Sequence, residues 1–232
     1  MLFDIRSPGR RMAVKVIYGG LAVLLGGGLI LFGVGSGIQG GGLFDAISGS
    51  SGDLPDNAFV KQADKQQKFV ATHPKDAEAY AQLARLRFQS ASFDDNKQVF
   101  TDSGLKELAL ADQAWQRHLK LAGDKPNLRV ANIMLRVYDV NALNQPAKGA
   151  DAMQLIIDAA GKDATAKQYA QLAYFAYIGQ DTRLGKLAGD KAIALSPKDD
   201  REQIKAVIAS YKQAGQQAAA AAKTTATPAP TP

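Results

Sequence analysis

One uncharged stretch near the N-terminus constrains the fold and placement of this chain more than any other feature. Residues 16–34 (VIYGGLAVLLGGGLILFGV) form a run of 19 residues without a charged side chain. A helix of that length rises about 28 Å, which is close to the roughly 30 Å of a bilayer's hydrocarbon core. The sequence therefore predicts a single transmembrane helix over residues 16–34.

The charges on either side of this segment predict its orientation. Arg10, Arg11 and Lys15 precede it in a basic tail, residues 1–15, whereas residues 35–60 contain no Lys or Arg and three Asp. Positive charge stays on the cytoplasmic side of a membrane helix. We therefore expect a single-pass protein of the cytoplasmic (inner) membrane, with its N-terminus inside and its C-terminal domain extracytoplasmic. Contact with the lipid bilayer follows from this prediction.

Two alternatives concern the same segment. A cleaved signal peptide would have a shorter apolar core and an A-x-A-like site, for which Ala46-Ile47-Ser48 is a poor candidate. The spacing Ala22-x-x-x-Gly26 is of the small-residue type that lets two membrane helices pack closely. A homodimer through the anchor thus stays open, although Gly-rich anchors contain such pairs by chance.

Beyond the membrane segment, the pattern predicts an all-α protein. Residues 35–56 are a Gly/Ser-rich linker, residues 57–215 a helical domain and residues 216–232 a disordered Ala/Thr/Pro tail. No stretch alternates apolar and polar residues for long enough to predict a strand. Pro or Gly interrupts the helical pattern at each break, which is the expected punctuation. The predicted helices are 57–72, 76–91, 104–122, 127–142, 147–160, 164–178, 182–195 and 198–214.

Two stretches of the helical region begin alike. Residues 74–84 (PKDAEAYAQLA) and 163–173 (DATAKQYAQLA) both place Tyr six residues, Leu nine and Ala ten after the start. Residues 126–136 (PNLRVANIMLR) keep the Leu, Leu135, but have Asn and Arg in the other two positions. From residue 163 the pattern continues through the small residues Ala176, Gly185, Gly189 and Ala192 to Pro197.

This 34-residue pattern resembles the tetratricopeptide repeat, a helix–turn–helix unit with Leu-small in its first helix and small residues in its second. The resemblance is closest over 163–197 and weakest over 126–160. It implies a short right-handed α-solenoid of about seven to eight helices, with three degenerate repeats and a capping helix at each end. An insertion of about 18 residues, near Ser90–Gly104, separates the first two repeats. The architecture is similar to that of bacterial inner-membrane proteins that hold such a domain outside on one N-terminal helix.

The resemblance also implies which residues bind partners. Tetratricopeptide arrays present the first helix of each repeat on a concave face, where other proteins or peptides bind. The implied partner-binding residues are Arg85, Phe88, Lys167, Tyr174 and Tyr177. Both Tyr have a competing interpretation as core residues. Other inward-facing candidates are Glu78, Val130, Ile133 and Val137.

The residue inventory does not favour catalysis or cofactor binding. The chain has no Cys, and its two histidines, His73 and His118, lack a metal-ligand partner one helical turn away. Asp94-Asp95-Asn96 lacks the spacing of a calcium loop and is interpreted as part of a solvated insertion. The excess positive charge beside the membrane segment is not the distribution of a nucleic-acid binder. We therefore predict that the protein is not an enzyme and that it binds no metal, cofactor or nucleic acid.

The sequence thus favours a membrane-anchored, extracytoplasmic scaffold for protein–protein interaction, of a kind that assists envelope protein assembly or secretion. The alternative is a structural cell-envelope component that associates with itself through the anchor and reaches the wall through its tail.

Overall fold

The computed structural model describes residues 58–225, with side chains to residue 220. The predicted transmembrane helix 16–34, its flanking charges Arg10, Arg11 and Lys15, and almost all of the linker lie outside the described residues. Within residues 58–225, no helix combines the length and the apolar character needed to cross a bilayer.

The described chain folds into eight α-helices and one short hairpin, which confirms the all-α prediction. In chain order the elements are α1 Ala58–Thr72, α2 Ala77–Gln89, β1 Phe93–Asp94, β2 Val99–Phe100, α3 Asp102–Ala122, α4 Leu128–Val137, α5 Pro146–Ala160, α6 Ala166–Ile178, α7 Thr182–Leu195 and α8 Arg201–Thr225.

Three local features differ from the sequence prediction. The insertion after α2 forms a two-stranded antiparallel hairpin in which Phe93 pairs with Phe100. Helix α4 ends at Val137 instead of continuing to 142, because the chain turns back and the Leu143 N–H donates to the Val137 carbonyl at 3.1 Å. Helix α8 continues past the predicted boundary at 215 to Thr225. This extension contains a run of alanines, and alanine has the highest helix propensity of all residues.

Helices α2 and α3 run antiparallel, as the contacts at their two ends show. Arg87, in the last turn of α2, bonds Glu107 in the first turns of α3 at 3.1 Å. His118, near the end of α3, bonds the carbonyl of Ala77 at the start of α2 at 2.8 Å. Glycines permit close contacts between consecutive helices. A Cβ placed on Gly149 of α5 would lie 2.4 Å from the Phe175 ring of α6.

Helices α2 and α4 run parallel. The start of α2 and the start of α4 both bond His118, while their last turns meet where Arg136 lies over the Phe88 ring. Between α6 and α8, Tyr174 contacts Tyr211. These contacts place α2 beside α4 and α6 beside α8.

The core lies between these helices and is filled mainly by aliphatic side chains and Ala. The largest side chains with almost no exposed surface are Trp115, Tyr138, Leu108, Met134 and Met153. They come from α3, α4 and α5 and from the turn after α4, so the middle of the described chain contributes the largest buried side chains.

Candidate protein-binding face

The helix N-caps define a common register for α2, α4 and α6. Asp76, Asn127 and Thr165 each accept a hydrogen bond from the backbone N–H three residues later. Each cap is followed seven residues later by a buried apolar side chain. These side chains are Leu83, Met134 and Leu172. Met134, and not Leu135, is therefore the equivalent position in α4.

This register corrects the sequence alignment of the middle repeat by one residue. Val130, Ile133 and Val137 were expected on the concave face, but all three are buried. Arg129 and Arg136 instead occupy the positions two and nine residues after the cap. Shifting the alignment by one residue moves each position by about 100° around the helix axis, which is enough to exchange a buried side of the helix for an exposed one.

The same two positions carry mostly charged residues in the neighbouring helices. In α2 they are Glu78 and Arg85, and in α6 they are Lys167 and Tyr174. We define the α2–α4–α6 face by six residues: Arg85, Phe88, Arg129, Arg136, Lys167 and Tyr174. Sequence reasoning missed the two α4 arginines. The cap residue Asn127, which follows Pro126, was the available signal.

A continuous row of contacts joins the helices across this face. The Arg136 guanidinium lies 5.4 Å from the centroid of the Phe88 ring. The Tyr174 hydroxyl donates to Asp139 Oδ2 at 3.3 Å, and its ring meets Tyr211 edge-on at 5.3 Å. The row therefore joins α2 to α4, and the turn after α4 to α6 and α8.

Burial shifts the pKa of three ionisable groups in the row. It raises the pKa of Tyr174 well above its usual range, and the carboxylate of Asp139 raises it further. Burial also raises the pKa of Tyr211, whose hydroxyl has no hydrogen-bond partner in the described part of the chain. Burial lowers the pKa of Arg136, while Asp139 acts in the opposite direction. Both tyrosines thus remain neutral at physiological pH.

The predicted site residues separate into surface and core. Arg85 and Lys167 are exposed, while Phe88 and Tyr174 are half-buried within the row. Tyr177 is only 6% exposed. A Cβ placed on Gly185 of α7 would lie 2.8 Å from the Tyr177 ring, so α7 covers this side chain. Its assignment to the binding face was wrong, and its interpretation as a core residue is confirmed.

His118 has a structural role, because it connects the starts of α2 and α4. Its Nδ1 bonds the Ala77 carbonyl, and its Nε2 accepts from the Asn127 N–H, both at 2.8 Å. A carbonyl requires a donor and an N–H requires an acceptor, so the Nδ1-protonated tautomer satisfies both. The Asn127 side chain adds a bond to Glu78 at 2.8 Å. The starts of α2 and α4 are thereby held together.

A second polar cluster connects α3 to the following elements. Asp112, 9% exposed, accepts from the Tyr138 hydroxyl and the Lys148 ammonium, both at 2.6 Å. Gln116 donates to the same carboxylate at 3.3 Å. The three donors offset the cost of burying a carboxylate.

His73 and the acidic insertion act locally. His73 is exposed and stacks on Phe69 at 4.1 Å between ring centroids. Asp94 Oδ1 accepts from the backbone N–H groups of Asn96 and Lys97, and so closes the turn of the hairpin. Within residues 58–225 there is no group of three or more His, Cys, Asp or Glu that could hold a metal ion.

A shallow groove lies away from the face, between α3 and α5. Its volume is about 410 Å³, and Leu119, Leu155, Asp151 and Asp158 contribute to its lining. Two exposed carboxylates on an apolar floor do not provide a nucleophile with an adjacent base.

Comparison of the chain with protein-family models, with curated proteins and with solved structures gives no match.

Proposed function

We propose that this chain is a membrane-anchored scaffold that binds other proteins through the α2–α4–α6 face in the extracytoplasmic space. Residues 16–34 would hold it in the membrane, and its helices would stack as a short tetratricopeptide-like right-handed solenoid. The observation that carries the proposal is the pair of contacts Phe88–Arg136 and Asp139–Tyr174, because they connect side chains of α2 and α4 and of the turn after α4 to α6.

The contacts between helices support the solenoid. In an array of helical hairpins each helix packs antiparallel to the next, and the first helices of successive repeats lie side by side and parallel. The His118 bonds and the Tyr174–Tyr211 contact have this arrangement. The small residues of α7 agree with it, since a Cβ on Gly189 would lie 2.6 Å from Ile208 of α8.

The composition of the face supports protein binding. Arg, Tyr and Phe are enriched at protein–protein interfaces, and Arg and Tyr are among the side chains that most often dominate binding energy. Phe88 and Tyr174 are already held by neighbouring helices, so their ordering on binding costs little entropy. We propose no catalytic role for any of these side chains.

Site-specific photo-crosslinking in the native membrane tests where partners bind. A photoreactive amino acid at Arg85, Arg129 or Lys167 of the full chain should give protein adducts, because these side chains are exposed on the face. The matched controls are Lys120 of α3 and Lys191 of α7, which are also exposed but lie outside the face. Equal adducts at the control positions, or none at the three face positions, would contradict the proposal.

A reporter fused after Pro232 tests the anchor and its orientation. An enzyme that is active only outside the cytoplasm should be active there, because Arg10, Arg11 and Lys15 hold the N-terminus inside. Replacing these three residues with Gln should reduce that activity at unchanged protein level. Activity of a cytoplasm-only reporter at the same position would overturn the orientation.

A further inference from the structure

We propose that α1 lies on the surface of the membrane that holds residues 16–34 and contacts its anionic lipid headgroups. The inference rests on the anchor of the proposed function and adds a second membrane contact, made by the described part of the chain. Three lysines and one exposed aromatic residue would make this contact, and none of them belongs to the α2–α4–α6 face. These four residues, which we call the α1 basic face, are Lys61, Lys65, Lys68 and Phe69.

The three lysines lie on one side of α1. Lys65 and Lys68 follow Lys61 by four and seven residues, and side chains at these spacings are neighbours on a helix surface. All three are exposed, whereas Ala63 and Val70 on the opposite side of the helix are buried in the core. The α1 basic face is therefore directed away from the rest of the fold.

The charge of this face is not neutralised by the described chain. None of its three lysines forms a salt bridge within residues 58–220. Asp64, the one acidic residue of α1, is held by Arg87 of α2 at 3.2 Å. On α7, by contrast, Lys186 is paired with Asp190 at 2.6 Å. The α1 basic face thus presents three positive charges, and clustered lysines of this kind are attracted to anionic lipid.

An ordered aromatic ring distinguishes this face from a solvated charged surface. Phe69 follows Lys65 by one helical turn and is 42% exposed. Its ring is stacked on His73, with 4.1 Å between the ring centroids and 9° between the ring planes. Exposure of this ring to water is unfavourable, whereas at a membrane surface Phe inserts at the boundary between headgroups and acyl chains while lysines bind the headgroups.

The position of α1 in the chain brings the face close to the membrane. Only 23 residues, 35–57, separate the uncharged segment from the start of α1. A Gly/Ser-rich chain of that length has an average end-to-end distance of about 25 Å. Such a short tether gives an effective concentration of about millimolar, and each lysine near an anionic surface strengthens attachment by about fivefold. A contact that is weak in isolation would therefore form in the anchored protein.

Site-specific fluorescence on the full chain in lipid vesicles tests this inference. The chain has no Cys, so a single introduced Cys is labelled uniquely. Gln62 lies two turns before Phe69 and hence beside the basic face, while Gln67 lies on another side of the same helix, and both are exposed. Gln62→Cys and Gln67→Cys therefore provide a matched pair of label sites. The vesicles are phosphatidylcholine, alone or with about a third phosphatidylglycerol, and carry a quencher attached to a lipid headgroup.

We expect the label at residue 62 to be quenched at least about twofold more than the label at residue 67 in the anionic vesicles. Quenching should be equal at the two sites in phosphatidylcholine vesicles, and high salt should remove the difference because it screens the lysines. Phe69→Ala should reduce the difference without abolishing it, since the lysines remain.

Two triple variants with the same change in net charge locate the contact. Replacing Lys61, Lys65 and Lys68 with Gln should abolish the difference in quenching between the two label sites. The matched control replaces three exposed lysines elsewhere with Gln and should retain the difference. Those lysines are Lys120, Lys162 and Lys191.

Flotation of the same vesicles keeps this inference separate from the proposed anchor. Flotation of the chain with phosphatidylcholine vesicles reports the anchor, whereas the difference between the two labels reports α1. Flotation with equal quenching at both sites in anionic vesicles, or equal losses in the two triple variants, would retain the anchor and reject the α1 contact. Failure to float with either kind of vesicle would contradict both. Equal quenching combined with protein adducts from a photoreactive residue at Lys65 in the native membrane would assign the α1 basic face to a protein partner and overturn the inference.

Discussion

Replacing Trp115 with alanine is expected to lower the free energy of unfolding by about 3–5 kcal/mol, which is the usual loss for a fully buried aromatic residue. Trp115 is 1% exposed, and its ring stacks on His118 with 5.0 Å between ring centroids. Its removal leaves a cavity and also frees the ring that connects α2 to α4. At roughly 2–4 °C per kcal/mol, the melting temperature should fall by about 6–20 °C.

Thermal unfolding followed by circular dichroism at 222 nm measures this effect on the full chain. The chain has a single Trp, so fluorescence cannot follow the variant. Leu187→Ala is the matched control, because Leu187 is 59% exposed and its loss should change stability by less than about 0.5 kcal/mol. A Trp115→Ala variant as stable as this control would show that the α2–α3–α4 core does not pack as described.

Replacing Asp112 with alanine should cost about 2–4 kcal/mol. The substitution removes the acceptor for the Tyr138 hydroxyl, which is fully buried, and for the Lys148 ammonium. An unsatisfied buried hydroxyl costs about 1–3 kcal/mol, and breaking a buried ion pair adds to this. Lys148 is 38% exposed, so water can solvate its ammonium and the total stays below that of a fully buried pair.

A double-mutant cycle separates the contribution of the Tyr138 bond. Tyr138→Phe alone should cost about 1 kcal/mol, and the double variant should cost less than the sum, because the same bond is lost in both. Asp158→Ala, an exposed carboxylate on α5, provides the control and should have almost no effect. Strict additivity in urea unfolding would mean that Asp112 and Tyr138 do not interact in solution.

The helices could be predicted because their limits are encoded locally. Asp181 caps α7 with a bond to the Leu184 N–H, and Gly123 ends α3 with φ of 55°. Such residues fix where a helix starts or stops regardless of what packs on it. The hairpin was missed since two-residue strands are too short to show an alternating pattern.

The site could be predicted only in part because its residues depend on register. The resemblance to tetratricopeptide repeats implied that Phe88 and Tyr174 lie on the face, with Arg85 and Lys167 beside them. In α4 both Met134 and Leu135 are apolar and buried, so hydrophobicity alone does not choose between two registers that differ by one residue. The cap at Asn127 makes that choice. The burial of Tyr177 depends on small residues in α7, which single-helix periodicity does not include.

The junction between α2 and α4 has two edges of unequal stiffness. At their first turns His118 makes two backbone bonds of 2.8 Å, which are directional and tolerate little displacement. At their last turns the contact is a guanidinium over a ring, 5.4 Å from its centroid, which permits sliding. A change in the angle between α2 and α4 would thus pivot at His118 and alter the gap between Phe88 and Arg136. The affinity of any ligand that bound at this gap would therefore depend on the angle between the two helices.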